Sequence, residues 1–159
     1  MGPFIDELAT GLPDAAQLSR VVVRLMLAAL LGAIIGAQRE RMGKEAGLRT
    51  HMLVALGAAL FIVAPIEFGM SGDELARIIQ GLVAGIGFLG AGAILKLTRD
   101  KEIQGLTSAA GLWLTAAVGV AAGLGRWGSA TVGVALIWFI LSTAVEPASL
   151  PFSSTLARG

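Results

Sequence analysis

Long apolar runs separated by short polar connections constrain this chain more than any single motif does. Five stretches, at about 20–38, 51–67, 77–96, 106–125 and 127–145, each approach the roughly 17–25 mostly apolar residues that a helix needs to cross a bilayer. Backbone N–H and C=O groups find no water in lipid, so such runs satisfy one another as helices. The expected fold is therefore an all-α integral membrane protein with about five transmembrane helices. Arg24 and Glu67 fall inside the first two runs, but near one end, where a long side chain reaches the headgroups. Pro13 and Asp14 mark a start for the first helix, and Pro147 and Pro151 mark the end of the last.

Composition agrees with lipid as the solvent. Charged residues are 14% of the chain, against roughly 25% in soluble domains. The 22 glycines suit helices packed closely in a membrane. A net charge of +1 gives no bulk attraction for nucleic acid, and the absence of cysteine excludes disulfides and thiolate chemistry. The expected organisation is an extracytoplasmic or interfacial segment over 1–19, a five-span domain over 20–145 and a short cytoplasmic tail over 146–159. The opening MGPFIDELATGLPD has no basic residue, unlike a signal peptide. Phe4, Ile5, Leu8 and Leu12 fit one stripe of a short interfacial helix, and a disordered tail fits as well.

Orientation follows from the basic residues. Eight of the twelve (Arg39, Arg41, Lys44, Arg49, Lys96, Arg99, Lys101 and Arg158) fall on one side, which is expected to be cytoplasmic. The N-terminus is then outside and the C-terminus inside. Four of the eight lie in the loop after the first span, where each is worth about 1 kcal/mol beside anionic lipid.

The chain also resembles itself. Residues 31–62 aligned with 89–120 give nine identities, among them Gly32/Gly90, Gly47/Gly105 and Leu48/Leu106, all at a shift of 58. Chance in so biased a composition gives about three. Each unit reads as helix, loop, helix, so two hairpins are expected to form a parallel repeat, with the fifth helix outside it.

The segment GLVAGIGFLGAGAIL holds Gly81, Gly85, Gly87, Gly90 and Gly92, and Gly81/Gly85 form GxxxG. Gly32/Gly36 and Gly119/Gly123 repeat that spacing, and all three pairs read as faces for helix packing. Polar residues form two belts. The inner one holds Gln38, Arg39, Glu40, Arg49, Thr50 and His51. Thr50 is expected to cap the second helix, with Thr107 or Ser108 as its counterpart. His51 reads as a helix-end or interface histidine, since one histidine makes no zinc set. Arg39 and Glu40 read either as a solvated helix end or as holding the loop onto Arg49.

The outer belt holds Arg24, Glu67, Asp73, Glu74, Arg77 and Gln80. Arg24 and Glu67 lie at similar depth and are expected to pair, because a lone charge there costs about 2.5–3.5 kcal/mol. Glu67, Asp73 and Glu74 are weak candidates for a divalent cation. No nucleophile lies beside a base, so no enzyme activity and no bound cofactor are expected.

The segments RLMLAALLGAIIG (24–36), AGLRTHMLVALGAALF (46–61), GIGFLGAGAI (85–94) and GLTSAAGLWLTAAVGVAAG (105–123) resemble the membrane domain of the MgtC/SapB family, over most of residues 24–123. The resemblance implies a bacterial inner-membrane protein of about five spans, associated with magnesium homeostasis and in some bacteria with survival in a host. Many members have Leu-Glu-Arg where this chain has Ala37-Gln38-Arg39, so a role resting on that acid does not transfer. Members named for MgtC also carry a soluble C-terminal domain, so this chain reads as a short, membrane-only member. Two functions are then expected. One is regulation, by self-association and by binding other membrane proteins through the glycine faces and the inner loop. The other is transport of magnesium or another cation. Magnesium would be effector in the first and substrate in the second.

Overall fold

The computed structural model describes residues 14–95 and 105–143, the side chain of Leu95 excepted. Among them are five helices and no strand: α1 (Ala15–Arg41), α2 (Leu48–Glu67), α3 (Gly72–Leu95), α4 (Leu106–Gly123) and α5 (Trp127–Thr143). The first four are long and apolar enough to cross a membrane, and α5 is apolar over its 17 described residues. The all-helical membrane fold read from the sequence therefore stands. The expectations for residues 1–13, for the loop residues Lys96, Arg99 and Lys101, and for the tail lie outside the described residues.

Helix ends differ from the sequence reading for local reasons. The Asp14 carboxylate accepts from the Gln17 amide at 2.7 Å, so α1 starts at Ala15, at the start read from Pro13 and Asp14, and extends beyond the apolar stretch that begins near 20. Helix α3 starts at Gly72 rather than near 77. The Ser71 amide and hydroxyl both donate to Glu74 Oε2, at 2.7 and 2.8 Å, in half of a capping box. Asp73 and Glu74 thus belong to a first helical turn, where negative charge is favoured, and not to a loop. Helices α1, α2 and α4 all stop in one motif. Gly43, Gly69 and Gly125 have φ near +70°, and the amides of Lys44, Met70 and Arg126 reach back to the carbonyls of Arg39, Pro65 and Ala121. This is the Schellman arrangement, which glycine adopts without a Cβ clash.

Helix α2 is gripped by glycines of two neighbouring helices, which meet along one of its faces. A Cβ on Gly32 of α1 would lie 2.6 Å from the His51 carbonyl oxygen, and one on Gly36 would lie 2.7 Å from Leu48 Cα. From α4, a Cβ on Gly119 would lie 2.3 Å from the Ala55 carbonyl oxygen, and one on Gly123 would lie 2.8 Å from that of Ala59. Apolar side chains gain little by leaving lipid for one another, so close backbone approach of this kind is what holds membrane helices together. Buried Ala55, Ala58 and Ala59 give α2 the matching shallow surface. A bulkier cluster, including Leu31, Ile35, Val118, Val134 and Ile137, joins α1, α4 and α5. Ile86 fastens α3 against Ala58 and Ala116.

The repeat reappears as a contact. Gly32 faces His51, and Gly90 faces Ala109, both members of the pair moved by 58 residues. The second copy is looser, since a Cβ on Gly90 would sit 3.5 Å from that of Ala109. Each hairpin's first helix packs on its own partner and on the other hairpin's second helix. The expected packing of Gly81, Gly85, Gly87 and Gly92 is not found among the described residues. No atom lies within 4 Å of a Cβ built on any of the four. Helix α3 is fastened through Ile86 and Gly90, which turns those glycines outward.

Candidate functional site

The end of the bundle that carries the basic loop holds its densest polar cluster. The inward stripe of α1 runs through Ala28, Leu31 and Ile35 and continues at Gln38 and Arg39. Helical spacing thus turns an arginine into the bundle. Arg39 is 2% exposed, so it is not a solvated helix end. Its Nη2 donates to Ser108 Oγ at 2.7 Å, and its Nε has no partner. Gln38 is also buried and donates to the Trp138 carbonyl at 3.0 Å and to Ser142 Oγ at 2.7 Å, which ties α1 to α5.

Glu40 does hold the loop, though through the backbone and not through Arg49. Its Oε2 accepts from the Leu48 amide at 2.8 Å. Gly47 makes room, since a Cβ there would lie 2.8 Å from that oxygen. Gly47 is the N-cap of α2, and Thr50 is exposed within the helix, which corrects the expectation of a Thr50 cap. Gly105, with φ 95°, is the N-cap of α4 in place of Thr107 or Ser108. Thr107 is exposed, and Ser108 turns inward to Arg39. Replacing Glu40 with alanine should destabilise the protein by about 1 kcal/mol and speed hydrogen exchange at the Leu48 amide. Unchanged exchange there would contradict the cap.

His51 is fully buried in the first turns of α2, a helix-end histidine as expected. Its Nδ1 donates to the Gly47 carbonyl at 2.9 Å. Its Nε2 has no partner and faces Gly111, where a Cβ would sit 3.6 Å away. Thr115 is fully buried too and donates to the Gly111 carbonyl at 2.8 Å. Ser108, Gly111 and Thr115 fall on one face of α4, so a polar column about 10 Å deep runs inward from the basic end. The structure thus gathers Gln38, Arg39, Glu40, Gly47 and His51, leaves Arg49, Thr50 and Thr107 at the surface, and adds Ser108 and Thr115.

At the other end the expected Arg24–Glu67 pair is absent. Arg24 Nη1 donates to the Gly123 carbonyl at 3.0 Å, and Glu67 accepts from the side-chain amide of Gln17. The last carbonyls of a helix lack intrahelical partners and carry partial negative charge, so α4 offers the guanidinium an acceptor. A double-mutant cycle between Arg24 and Glu67 should therefore give a coupling below about 0.5 kcal/mol, and a charge swap should not restore protein level. A larger coupling would revive the pair. The weak metal candidates are not assembled either. Among the described residues no group of three or more histidines and carboxylates forms. Glu74 is engaged by Ser71, and Glu67 by Gln17.

With that geometry in view, the chain can be compared with known proteins. It is 47% identical over 113 residues to Protein SrpB of Synechococcus elongatus, covering 63% of this chain and 61% of that protein. It is 43% identical over 110 residues to YhiD of Escherichia coli K12, whose name carries a proposed role as a magnesium transporter, covering 64% and 50%. It is 47% identical over 103 residues to Protein MgtC of Salmonella typhimurium LT2, covering 65% and 43%. The chain spans about half the length of the curated relatives it matches. No solved structure matches it. The sequence pattern of the MgtC family matches residues 25–148, which takes in all of the bundle beyond the first turns of α1, and the chain belongs to that family.

Proposed function

We propose that this chain is a regulatory membrane protein of magnesium homeostasis that works by intramembrane contact, with itself and with other membrane proteins, through α3. The carrying observation is the division of its glycines. Gly32, Gly36, Gly119 and Gly123 are consumed in gripping α2, whereas Gly81, Gly85, Gly87 and Gly92 have open space before them. Glycines on a lipid-facing surface bring no packing with acyl chains, but they let a second helix approach closely. The groove beside them, about 430 Å³, is lined by Phe61, Ile78, Gly81, Leu82, Gly85, Ile86 and Leu89. The link to magnesium rests on family membership and on the name of YhiD. The basic loop faces the cytoplasm of a bacterial inner membrane on this reading, in keeping with the distribution of arginine and lysine.

Transport is the second reading, and the name of YhiD favours it. Against it, alanine meets glycine along the α1–α2–α4 interior, and the described residues bring no carboxylate cluster together. One preparation tests both readings. The purified chain is placed in liposomes, and magnesium influx and energy transfer between labelled copies are read together. Energy transfer that survives dilution in lipid, without saturable influx, is the expected result. Saturable influx lost in Glu67→Gln would replace the regulatory reading with transport.

A further inference from the structure

We propose that the first turn of α4, with Arg39 as its floor, binds a phosphate-type oxyanion. Arg39 is 98% removed from solvent, yet among the described residues its guanidinium has one partner, the neutral Ser108 hydroxyl, and Nε has none. A buried cation without a counter-charge is costly, and an anion beside it relieves that cost. The guanidinium lies against the start of α4, where the first N–H groups lack intrahelical partners and the helix carries partial positive charge. The N-cap there is Gly105, which supplies no side-chain acceptor. Among the described residues, Leu106 and Thr107 at this helix start are exposed while Arg39 is buried.

The same molecule shows how the other copy of the repeat meets this need. At α2 the Leu48 amide receives the Glu40 carboxylate. The shift of 58 takes Leu48 to Leu106 and Glu40 to Thr98, which has no charge. At α2 the anion comes from α1 of the same hairpin, whereas among the described residues the start of α4 has a hydroxyl and a glycine cap, with the buried guanidinium of Arg39 laid against it from α1. That donor set fits a tetrahedral oxyanion. Guanidinium binds phosphate through parallel N–H groups, and helix starts bind it through amides. A lipid headgroup at the membrane surface and free phosphate in solution carry the same chemistry.

The test uses the full chain in neutral detergent, with Arg39→Gln, Ser108→Ala and, as a control at the opposite end, Arg126→Gln. Native mass spectrometry reads retention of phosphatidylglycerol against diacylglycerol, which lacks phosphate. Thermal unfolding is read in inorganic phosphate against chloride at equal ionic strength. A headgroup ligand predicts phosphatidylglycerol retention at least fivefold lower in Arg39→Gln and about threefold lower in Ser108→Ala. A soluble ligand predicts instead a midpoint raised by phosphate in wild type and Arg126→Gln only. Should Arg39→Gln fail to fold, Ser108→Ala decides, since it removes one exchangeable hydroxyl and no charge. Retention and phosphate response that are both unchanged in Ser108→Ala, or lost equally in Arg126→Gln, overturn the proposal.

Discussion

Gly119→Val is expected to abolish recovery of the folded protein. A Cβ there would lie 2.3 Å from the Ala55 carbonyl oxygen and 2.9 Å from both Ala55 Cα and Ala58 Cβ. None of these atoms can swing aside by a side-chain rotation, so α2 and α4 must separate. Overpacking of an interior costs about 1–3 kcal/mol where neighbours can shift, and this site belongs at or above the top of that range. Separation also loosens the contact with α1, because Gly32 meets the same Ala55. Gly57 is the control: it lies on the same helix pair's outward side, with no atom within 4 Å of a built Cβ. Gly57→Val should unfold within about 0.5 kcal/mol of wild type in a detergent titration. Equal stability of Gly119→Val and Gly57→Val would show that α2 and α4 are not in this contact.

Leucines at Gly81 and Gly85 should do the reverse, keeping the fold and breaking association. Among the described residues nothing beyond its own helix lies within 4 Å of a Cβ built on either glycine, and leucine is the better helix former by about 0.5–1 kcal/mol per site. The double variant should therefore be at least as stable as wild type. Two leucines on the outer face of α3 hold an approaching helix several ångströms further away, which removes the packing that glycine permits. Energy transfer between labelled copies in liposomes should need at least tenfold more protein per lipid to reach its half-maximum. Association unchanged in a well-folded double variant would move the interface away from α3 and leave the regulatory proposal without its main support.

What the sequence made legible was the length of apolar run, because that is fixed by bilayer thickness. The helices of the bundle, their order and the shift of 58 were all readable from it. Helix starts were less so. Asp73 and Glu74 look like loop residues until Ser71 is seen to bond Glu74, and Thr50 looks like a cap until Glu40 reaches across from α1. Both outcomes depend on which acceptor is nearest in space, which spacing along the chain does not encode. Arg39 is a different case. It stands four residues after Ile35 and eight after Leu31, on the stripe that buries both. Helical periodicity alone therefore carried a signal that it turns inward, and its charge obscured that signal. The Arg24–Glu67 expectation matched charge and depth but not direction. Backbone carbonyls at a helix end compete for arginine, and they leave no mark in a list of charged residues.

The double grip on α2 also constrains the order in which the bundle is built. Ala55 and Gly119 stand 64 residues apart, with α3 emerging between them. A growing chain inserts α1 and α2 first, and Gly32 and Gly36 can close on part of one face of α2 at once. The rest of that face, around Ala58, stays uncovered until the later helices arrive. During that interval the half-built protein offers its smoothest surface to any passing helix. Once α4 is seated, that surface is sealed. The exposure is directional in time: α2 is open to another helix only during synthesis, whereas the glycines of α3 stay open in the finished bundle.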